Sequence, residues 1–218
     1  MTLPTHKQLM LAAISSNEAL KVAHIQAERH HAQTLQEAWF TTAAFLHLWI
    51  VTEVAAKELM NIYKYTKETK AALKKLQLEL KRALQPHLSV SSKKEAHAQA
   101  QTLIAKALPS LIGPLQSIFN DHAKSASRQL DLAVIKSALT TLEVSFNSSR
   151  VEYLLASKVA ALPDGIDLKD KTTVRERRNK LVHSNGTVTA ETAAALLPMF
   201  DEFFSLLLGT SATPHQDA

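Results

Sequence analysis

Two side chains near the C-terminus, Arg178 and His183, are of the types that could cleave RNA without a metal ion. An imidazole can take the proton from a ribose 2′-hydroxyl, whose oxygen then attacks the adjacent phosphorus to give a 2′,3′-cyclic phosphate and a 5′-hydroxyl end. A guanidinium can hold the phosphate oxygens through two parallel hydrogen bonds and stabilise the charge of the transition state. Asn179 could orient the histidine or the phosphate. These three residues are the predicted catalytic set.

The spacing of Arg178 and His183 limits how they can act together. Positions five apart on an ideal helix lie about 140° apart around its axis, so one regular helix would not aim both groups at one point. Either the helix distorts before Gly186, or two copies of the chain face each other across a two-fold axis. In the second arrangement the arginine of one copy serves the histidine of the other.

The run Arg178-Asn179-Lys180-Leu181-Val182-His183, which closes a helix ahead of Ser184-Asn185-Gly186, resembles the signature of the HEPN domain superfamily. Residues 127–208 are similar to that family in the order of their elements: a long amphipathic helix, the motif, a turn and a final helix. The resemblance covers residues 38–65 and 95–208. It implies an all-α bundle with a core of about four to five helices, to which this chain adds long N-terminal helices. It also implies a dimer whose motifs meet in a shared cleft.

The same resemblance implies a metal-independent endoribonuclease that acts on RNA as a homodimer and serves as a toxin or a phage-defence effector. Such a protein would have an antitoxin or a regulatory protein as partner. One subfamily partners a nucleotidyltransferase and carries a tyrosine two residues past the histidine, where this chain has Asn185. That departure argues against the partner-modified type. Two alternatives are a non-catalytic HEPN-like module that binds RNA, a nucleotide or a protein, and an unrelated helical scaffold or regulator.

A polar residue in an apolar run, Glu53, is a candidate supporting residue. Members of the superfamily often point a polar residue from an earlier helix at the motif, so Glu53 could fix Arg178 or His183 by a hydrogen bond. Alternatively, Glu53 forms a helical ion pair with Lys57, which lies four positions on.

Basic residues close to the motif are candidates for binding RNA. Arg175, Arg177 and Lys180 flank the catalytic set, although they could simply keep a short exposed helix soluble. A separate basic stretch between residues 64 and 82 could track a phosphate backbone, but a solvated helix face is the commoner explanation of such a pattern.

Scarcity of glycine, with four in 218 residues, and abundance of Ala, Leu, Lys, Gln and Glu predict an all-helical chain. Neither Gly nor Pro occurs between Thr5 and Gln85, so one or two long helices are expected there. We expect a single domain over 1–208, with residues 1–37 and 66–95 outside the HEPN-like core, and a disordered tail at 209–218. The expected helical segments are 18–38, 38–62, 66–85, one from about 93 with a Ser92–Glu95 capping box, 115–124, 127–160, 170–183, and 190–208 capped by Thr189.

Composition disfavours several other kinds of site. Cysteine is absent, which excludes disulfides, thiolate metal sites and Cys nucleophiles. The ten histidines include no His-x-x-x-His pair, and no Gly-rich phosphate loop occurs, so neither a metal nor a cofactor is predicted. The net charge of +5 is compatible with a polyanionic partner. No signal peptide or membrane span is recognised, so no membrane partner is expected and the predicted location is cytoplasmic.

Overall fold

The computed structural model describes residues 3–84, 95, 98, 102, 130–156, 158, 161–164, 166, 168, 172–184 and 186–211. Over these ranges every regular element is helical, so the predicted all-α fold class is confirmed. A short 3₁₀ turn at Glu18–Leu20 separates the first two helices. The α-helices are α1 (His6–Ser16), α2 (Val22–Glu37), α3 (Thr41–Leu84), α4 (Leu132–Thr141), α5 (Ser149–Leu155), α6 (Val174–Ser184) and α7 (Ala190–Ser211).

The N-terminal segment contains three α-helices, so the prediction of one or two long helices over Thr5–Gln85 is wrong. The chain breaks at Asn17 and at Trp39, which are close to the bounds of the segments expected at 18–38 and 38–62. The Asn17 side chain makes the first break: its Oδ1 accepts a hydrogen bond from the Ala19 amide (3.1 Å) and its Nδ2 donates to Glu58 Oε2 (2.7 Å). An asparagine that bonds the nearby backbone competes with the hydrogen bonds of a continuing helix.

The second break places Trp39 in the left-handed backbone region, with φ 64°. The Trp39 amide donates to the Gln36 carbonyl (2.9 Å) and the Phe40 amide donates to the Leu35 carbonyl (2.8 Å). This is the Schellman arrangement that ends many helices, and glycine usually occupies the left-handed position because it has no Cβ to strain the backbone. Trp39 is 90% exposed, so its ring gains little from packing within the chain.

Helix α3 is a single helix of 44 residues, about 66 Å long, and it merges the two helices expected at 38–62 and 66–85. Its first half crosses the core, where Phe45, Trp49 and Leu59 are buried. Its second half carries the basic stretch, whose lysines between residues 64 and 75 are exposed to solvent. The site residues on α3 therefore lie in the half that the core holds rigid.

One hydrophobic core joins all seven helices. Met10 of α1 and Ile25 of α2 are fully buried in it. Phe45 of α3 meets Phe200 of α7 edge-on, with ring centroids 5.7 Å apart. The N-terminal helices, for which the HEPN resemblance has no counterpart, are thus part of the core and not an appended arm.

The prediction of one helix over 127–160 is wrong, because a turn at 142–148 divides the described part of it into α4 and α5. Glu143 in this turn is a second non-glycine residue in the left-handed region, with φ 61°. The Ser148 hydroxyl caps the first turn of α5. The apolar spacing continues across the turn because both helices pack on the same core, so periodicity alone does not reveal the break.

The last two helices lie close to their expected positions. Helix α6 begins at Val174 and not at residue 170. The predicted cap of α7 is confirmed, since Thr189 Oγ1 accepts a hydrogen bond from the Thr192 amide (3.2 Å). Residues 209–211, expected in the tail, are helical. The rest of that tail, the Ser92 cap and the helix expected at 115–124 lie outside the described residues, whereas residues 95, 98 and 102 are helical as expected.

Helix α7 is long and apolar enough over Ala190–Gly209 to cross a membrane, judged by length and composition alone. Its middle carries Asp201, which is exposed and forms a surface ion pair. The opposite face buries Phe200, Phe203 and Phe204 completely within the bundle. A helix with one buried apolar face and one charged face fits a core helix.

Replacing Trp39 by glycine should raise the free energy of unfolding by about 1 kcal/mol, because glycine adopts the left-handed conformation without strain. Phe40→Gly is the matched control, since Phe40 is the exposed neighbour (62%) but lacks a positive φ, and this variant should not be stabilised. Chemical denaturation followed by circular dichroism measures both. A less stable Trp39→Gly protein would contradict the assignment of strain.

Candidate active site

The helix that carries the motif is fixed at its N-terminal end. Thr173 and Glu176 form a capping box: the Glu176 amide donates to Thr173 Oγ1 (3.1 Å) and the Thr173 amide donates to Glu176 Oε2 (3.0 Å). Just before it, the buried Tyr153 hydroxyl donates to the Thr172 carbonyl (2.8 Å). Val174 is the one buried residue of α6. Leu181 near the other end is partly buried and packs against the core, and the middle of the helix has a polar attachment as well.

Arg178 provides that attachment through its guanidinium. Its Nη2 donates to Glu53 Oε2 on α3 at 2.9 Å, and its Nη1 donates to Asn179 Oδ1, also at 2.9 Å. Asn179 thus orients Arg178, whereas the sequence suggested that Asn179 orients the histidine or the phosphate. A guanidinium has five N–H donors, so these two contacts leave others to bind an anion.

Glu53 contacts two of the three partners that the sequence suggested for it, Lys57 and Arg178, and not His183. Its Oε1 accepts from Lys57 Nζ (2.8 Å), and its Oε2 accepts from Arg178 and from Trp49 Nε1 (3.1 Å). Trp49 was missed at the sequence level, although it precedes Glu53 by four positions, the spacing at which helical side chains meet. The carboxylate therefore has three hydrogen-bond donors from two helices.

The pKa of Glu53 results from opposed influences. Burial alone would raise it, but the hydrogen bond and charge of Lys57 oppose burial, together with the charge of Arg178 and the hydrogen bond from Trp49. Their sum holds the pKa below its ordinary value of 4.5. The carboxylate is therefore ionised at neutral pH and faces Arg178 as a full negative charge.

His183 lies on the exposed side of the last turn of α6. The helix is continuous from Val174 to Ser184, so the distortion considered before Gly186 is absent. Arg178 and His183 are therefore separated by about 140° around one helix axis. A single protomer does not bring the two groups to one point, and in the isolated chain His183 is a surface residue favoured by the helix dipole.

Three exposed aliphatic residues lie within one helical turn of Glu53 or Arg178 along the two helices. Ile50 (56% exposed) and Val54 (45%) lie beside Glu53 on α3, and Val182 (54%) lies one turn beyond Arg178 on α6. We call these three the apolar rim. Exposed apolar groups clustered around a polar centre mark a surface that another molecule can cover.

The basic residues expected to hold RNA lie on two sides of α6. Arg175 is about 60° from Arg178 around the axis, on the side of the ion pair. Arg177 and Lys180 line a cavity of about 400 Å³ on the other side, together with the loop at 186–189. Arg178 therefore contacts Glu53 and Asn179, and the other basic residues of α6 lie on either side of this group.

No group of three or more His, Asp or Glu side chains within the described ranges is placed to bind a metal ion. A histidine cluster between α2 and α3 instead surrounds Glu28, with His47 Nε2 at 2.7 Å and His24 Nδ1 at 3.7 Å from its carboxylate oxygens. The chemistry open to a guanidinium and an imidazole needs no metal.

Comparison of the chain with protein-family models, with curated protein sequences and with solved structures finds no significant match. The resemblance to the HEPN superfamily therefore rests on the motif, because the long helix expected before the motif is divided at 142–148. The function has to be argued from the geometry of the site.

Glu53→Gln should lower the free energy of unfolding by about 1–2 kcal/mol at neutral pH, because the amide loses the charge that Arg178 and Lys57 face. The pKa of Glu53 is lowered in the folded protein, so its stabilising charge is complete above the ordinary value of 4.5 and is lost as the pH falls through the folded-state pKa. The difference between wild type and variant should shrink below about pH 4. Denaturation at stepped pH tests this, and a difference that persists unchanged in acid would argue against it.

Proposed function

We propose that the protein is a metal-independent endoribonuclease of HEPN type that acts as a homodimer. In this dimer Arg178 of one protomer and His183 of the other act on the same phosphodiester. One observation supports this most strongly: Arg178 is already oriented by Glu53 and Asn179, whereas His183 is exposed on another side of the same helix. A phosphate-binding group that is in place, with no base beside it, requires a second copy to complete the site.

A two-fold axis beside α6 would supply the missing base. Around the helix, Val182 and His183 follow Arg178 at about 40° and 140°, and His183 lies about 7.5 Å further along the axis. Two such surfaces packed antiparallel bring the histidine of each copy toward the arginine of the other. The apolar rim is buried in that contact, which gives the association a hydrophobic driving force.

The reaction follows from these positions. The neutral His183 imidazole takes the 2′-hydroxyl proton, and the 2′-oxygen bonds to the adjacent phosphorus while the bond to the 5′-oxygen breaks. The departing 5′-oxygen takes a proton from solvent, and the imidazolium returns its proton to solvent. Arg178 binds the non-bridging oxygens and stabilises their growing charge. Glu53 and Asn179 are positioning residues that act through the arginine.

Basic residues around the site support RNA as the substrate. Arg175 lies on the ion-pair side of α6 and Lys180 on the cavity side, in a chain with a net charge of +5. The resemblance to HEPN proteins adds the biological setting: a cytoplasmic toxin or phage-defence effector, restrained by an antitoxin or another regulatory protein.

Arg178→Ala and His183→Ala should each abolish cleavage of total RNA in the presence of EDTA, because each removes one of the two reacting groups. Gel analysis measures the cleavage, end analysis should detect 2′,3′-cyclic phosphates, and circular dichroism should show an unchanged fold. Cleavage that persists in both variants would remove the nuclease proposal. Wild-type protein that binds RNA but never cuts it would leave only a binding module.

Heterodimers of differently tagged protomers then test whether the site is shared. An Arg178→Ala protomer paired with a His183→Ala protomer should keep about half of the wild-type activity, because one composite site is complete. A wild-type protomer paired with the double variant should be inactive, because each composite site then lacks one group. If Arg178 and His183 of one chain acted together, the results would be reversed. The pair of single variants would be inactive, and the wild-type protomer paired with the double variant would keep about half of the activity.

Charge placed in the apolar rim should break the dimer. Val182→Asp should sediment as a monomer and lose more than about tenfold of its activity, because an unpaired carboxylate would be buried in the interface. Leu78→Asp is the control, since Leu78 is similarly exposed (49%) but lies in the solvated half of α3. Sedimentation and RNA cleavage are measured on both variants. A Val182→Asp protein that remains dimeric would contradict the proposed interface.

A further inference from the structure

Two exposed aromatic side chains lie outside the apolar rim. Trp39 is 90% exposed and Phe40 is 62% exposed. They are consecutive residues at the corner between α2 and α3, and we call them the aromatic corner. Neither the core nor the proposed dimer contact explains why two large rings are presented to solvent.

Trp39 carries two costs in the isolated chain. Its left-handed backbone strains a residue with a Cβ, at the position of a helix end that glycine usually fills. Its ring also stays in water, where an exposed indole gains no burial energy. No contact within the described chain offsets either cost. We therefore expect the Trp39 ring to contact another molecule.

The aromatic corner immediately precedes the turn of α3 that contacts the loop of the cavity beside the motif helix. Thr42, in the first turn after the corner, accepts a hydrogen bond at its Oγ1 from the Val188 amide (2.9 Å). Val188 lines the same cavity as Arg177 and Lys180. Lys180 lies one helical turn before His183, so at least one cation of the cavity is close to the proposed base.

We propose that the aromatic corner is a stacking platform for unpaired bases of single-stranded RNA, and that Arg177 and Lys180 hold the backbone between it and the scissile phosphate. The inference rests on the proposed function and specifies its substrate as single-stranded. Aromatic rings beside a cationic groove are the usual means of binding unpaired nucleotides, whose base faces are free to stack. The cations favour a polyanion over an apolar protein segment as the occupant.

The test uses the His183→Ala background, in which the RNA should stay intact during binding. A single-stranded RNA of about 12 nucleotides should bind about tenfold more weakly when Trp39→Ala is added, while Trp39→Phe should keep most of the affinity. Fluorescence anisotropy of end-labelled RNA measures the change. Trp39→Gly should show the same loss, although its fold is relieved of strain, so misfolding cannot account for the result. A duplex of the same sequence should bind all of these proteins equally.

Tryptophan fluorescence gives an independent readout. Trp39 is exposed and Trp49 is 1% exposed, so quenching of emission by single-stranded RNA should come from Trp39 and disappear in Trp39→Phe. Unchanged RNA affinity in a protein that carries both Trp39→Ala and Phe40→Ala would overturn the platform. If that double variant also changed its sedimentation, the two rings would belong to a protein contact instead. Loss of the platform in a protein that still cuts RNA would leave the nuclease intact. Trp39-dependent binding by a protein that cuts nothing would support the platform and remove the nuclease.

Discussion

The ion pair between Glu53 and Arg178 is the contact on which the site depends. Helix α6 is short and polar, and it packs on the core through the buried Val174 at its start and the partly buried Leu181 near its end. The ion pair fixes its middle, because it ties the helix to the half of α3 that crosses the core. Trp49 and Lys57 complete the shell around the carboxylate, which leaves Glu53 few ways to move. A guanidinium held this way is oriented before any ligand arrives, and such preorganisation is what stabilises transition-state charge most effectively.

Helix α3 contributes to the core and to the site with different faces of the same stretch, from Phe45 to Val54. Phe45 and Trp49 point into the bundle, Glu53 lies at its edge, and Ile50 and Val54 face solvent. Because successive residues advance by about 100° around a helix, one continuous element can anchor a charged group in the core and surround it with apolar surface. That surface is unfavourable in a lone protomer. It becomes favourable when a second copy covers it, and so the proposed dimer accounts for both the apolar rim and the missing base.

The sequence indicates the helices more reliably than their ends. Scarcity of Gly and Pro predicts the all-α fold. The resemblance to HEPN proteins suggested that Glu53 bonds Arg178 or His183, and the structure has Glu53 bonded to Arg178. The break at Trp39 falls at the boundary expected between the segments 18–38 and 38–62. The break at Glu143 was missed because this residue adopts a left-handed conformation that glycine usually marks in a sequence. The start of α6 could have been found from the capping box of Thr173 and Glu176. The proposed pairing of Arg178 and His183 across protomers has no local signal, since helical periodicity shows only that one regular helix does not direct both side chains to one point.

The protomer has two unrelated unfavourable features. One is the exposed apolar rim on α3 and α6, and the other is Trp39, which is exposed and has a left-handed backbone. Exposed apolar patches and strained residues often occur where a bound molecule compensates for their unfavourable energy. The proposed enzyme needs two such contacts. A second copy of the chain would cover the apolar rim, and the RNA substrate would cover Trp39. A protomer that holds its arginine ready but lacks a base has no complete site. The activity of such an enzyme follows the concentration of dimer. A partner that covers the apolar rim would prevent dimer formation and so inhibit the enzyme without contacting the reacting groups.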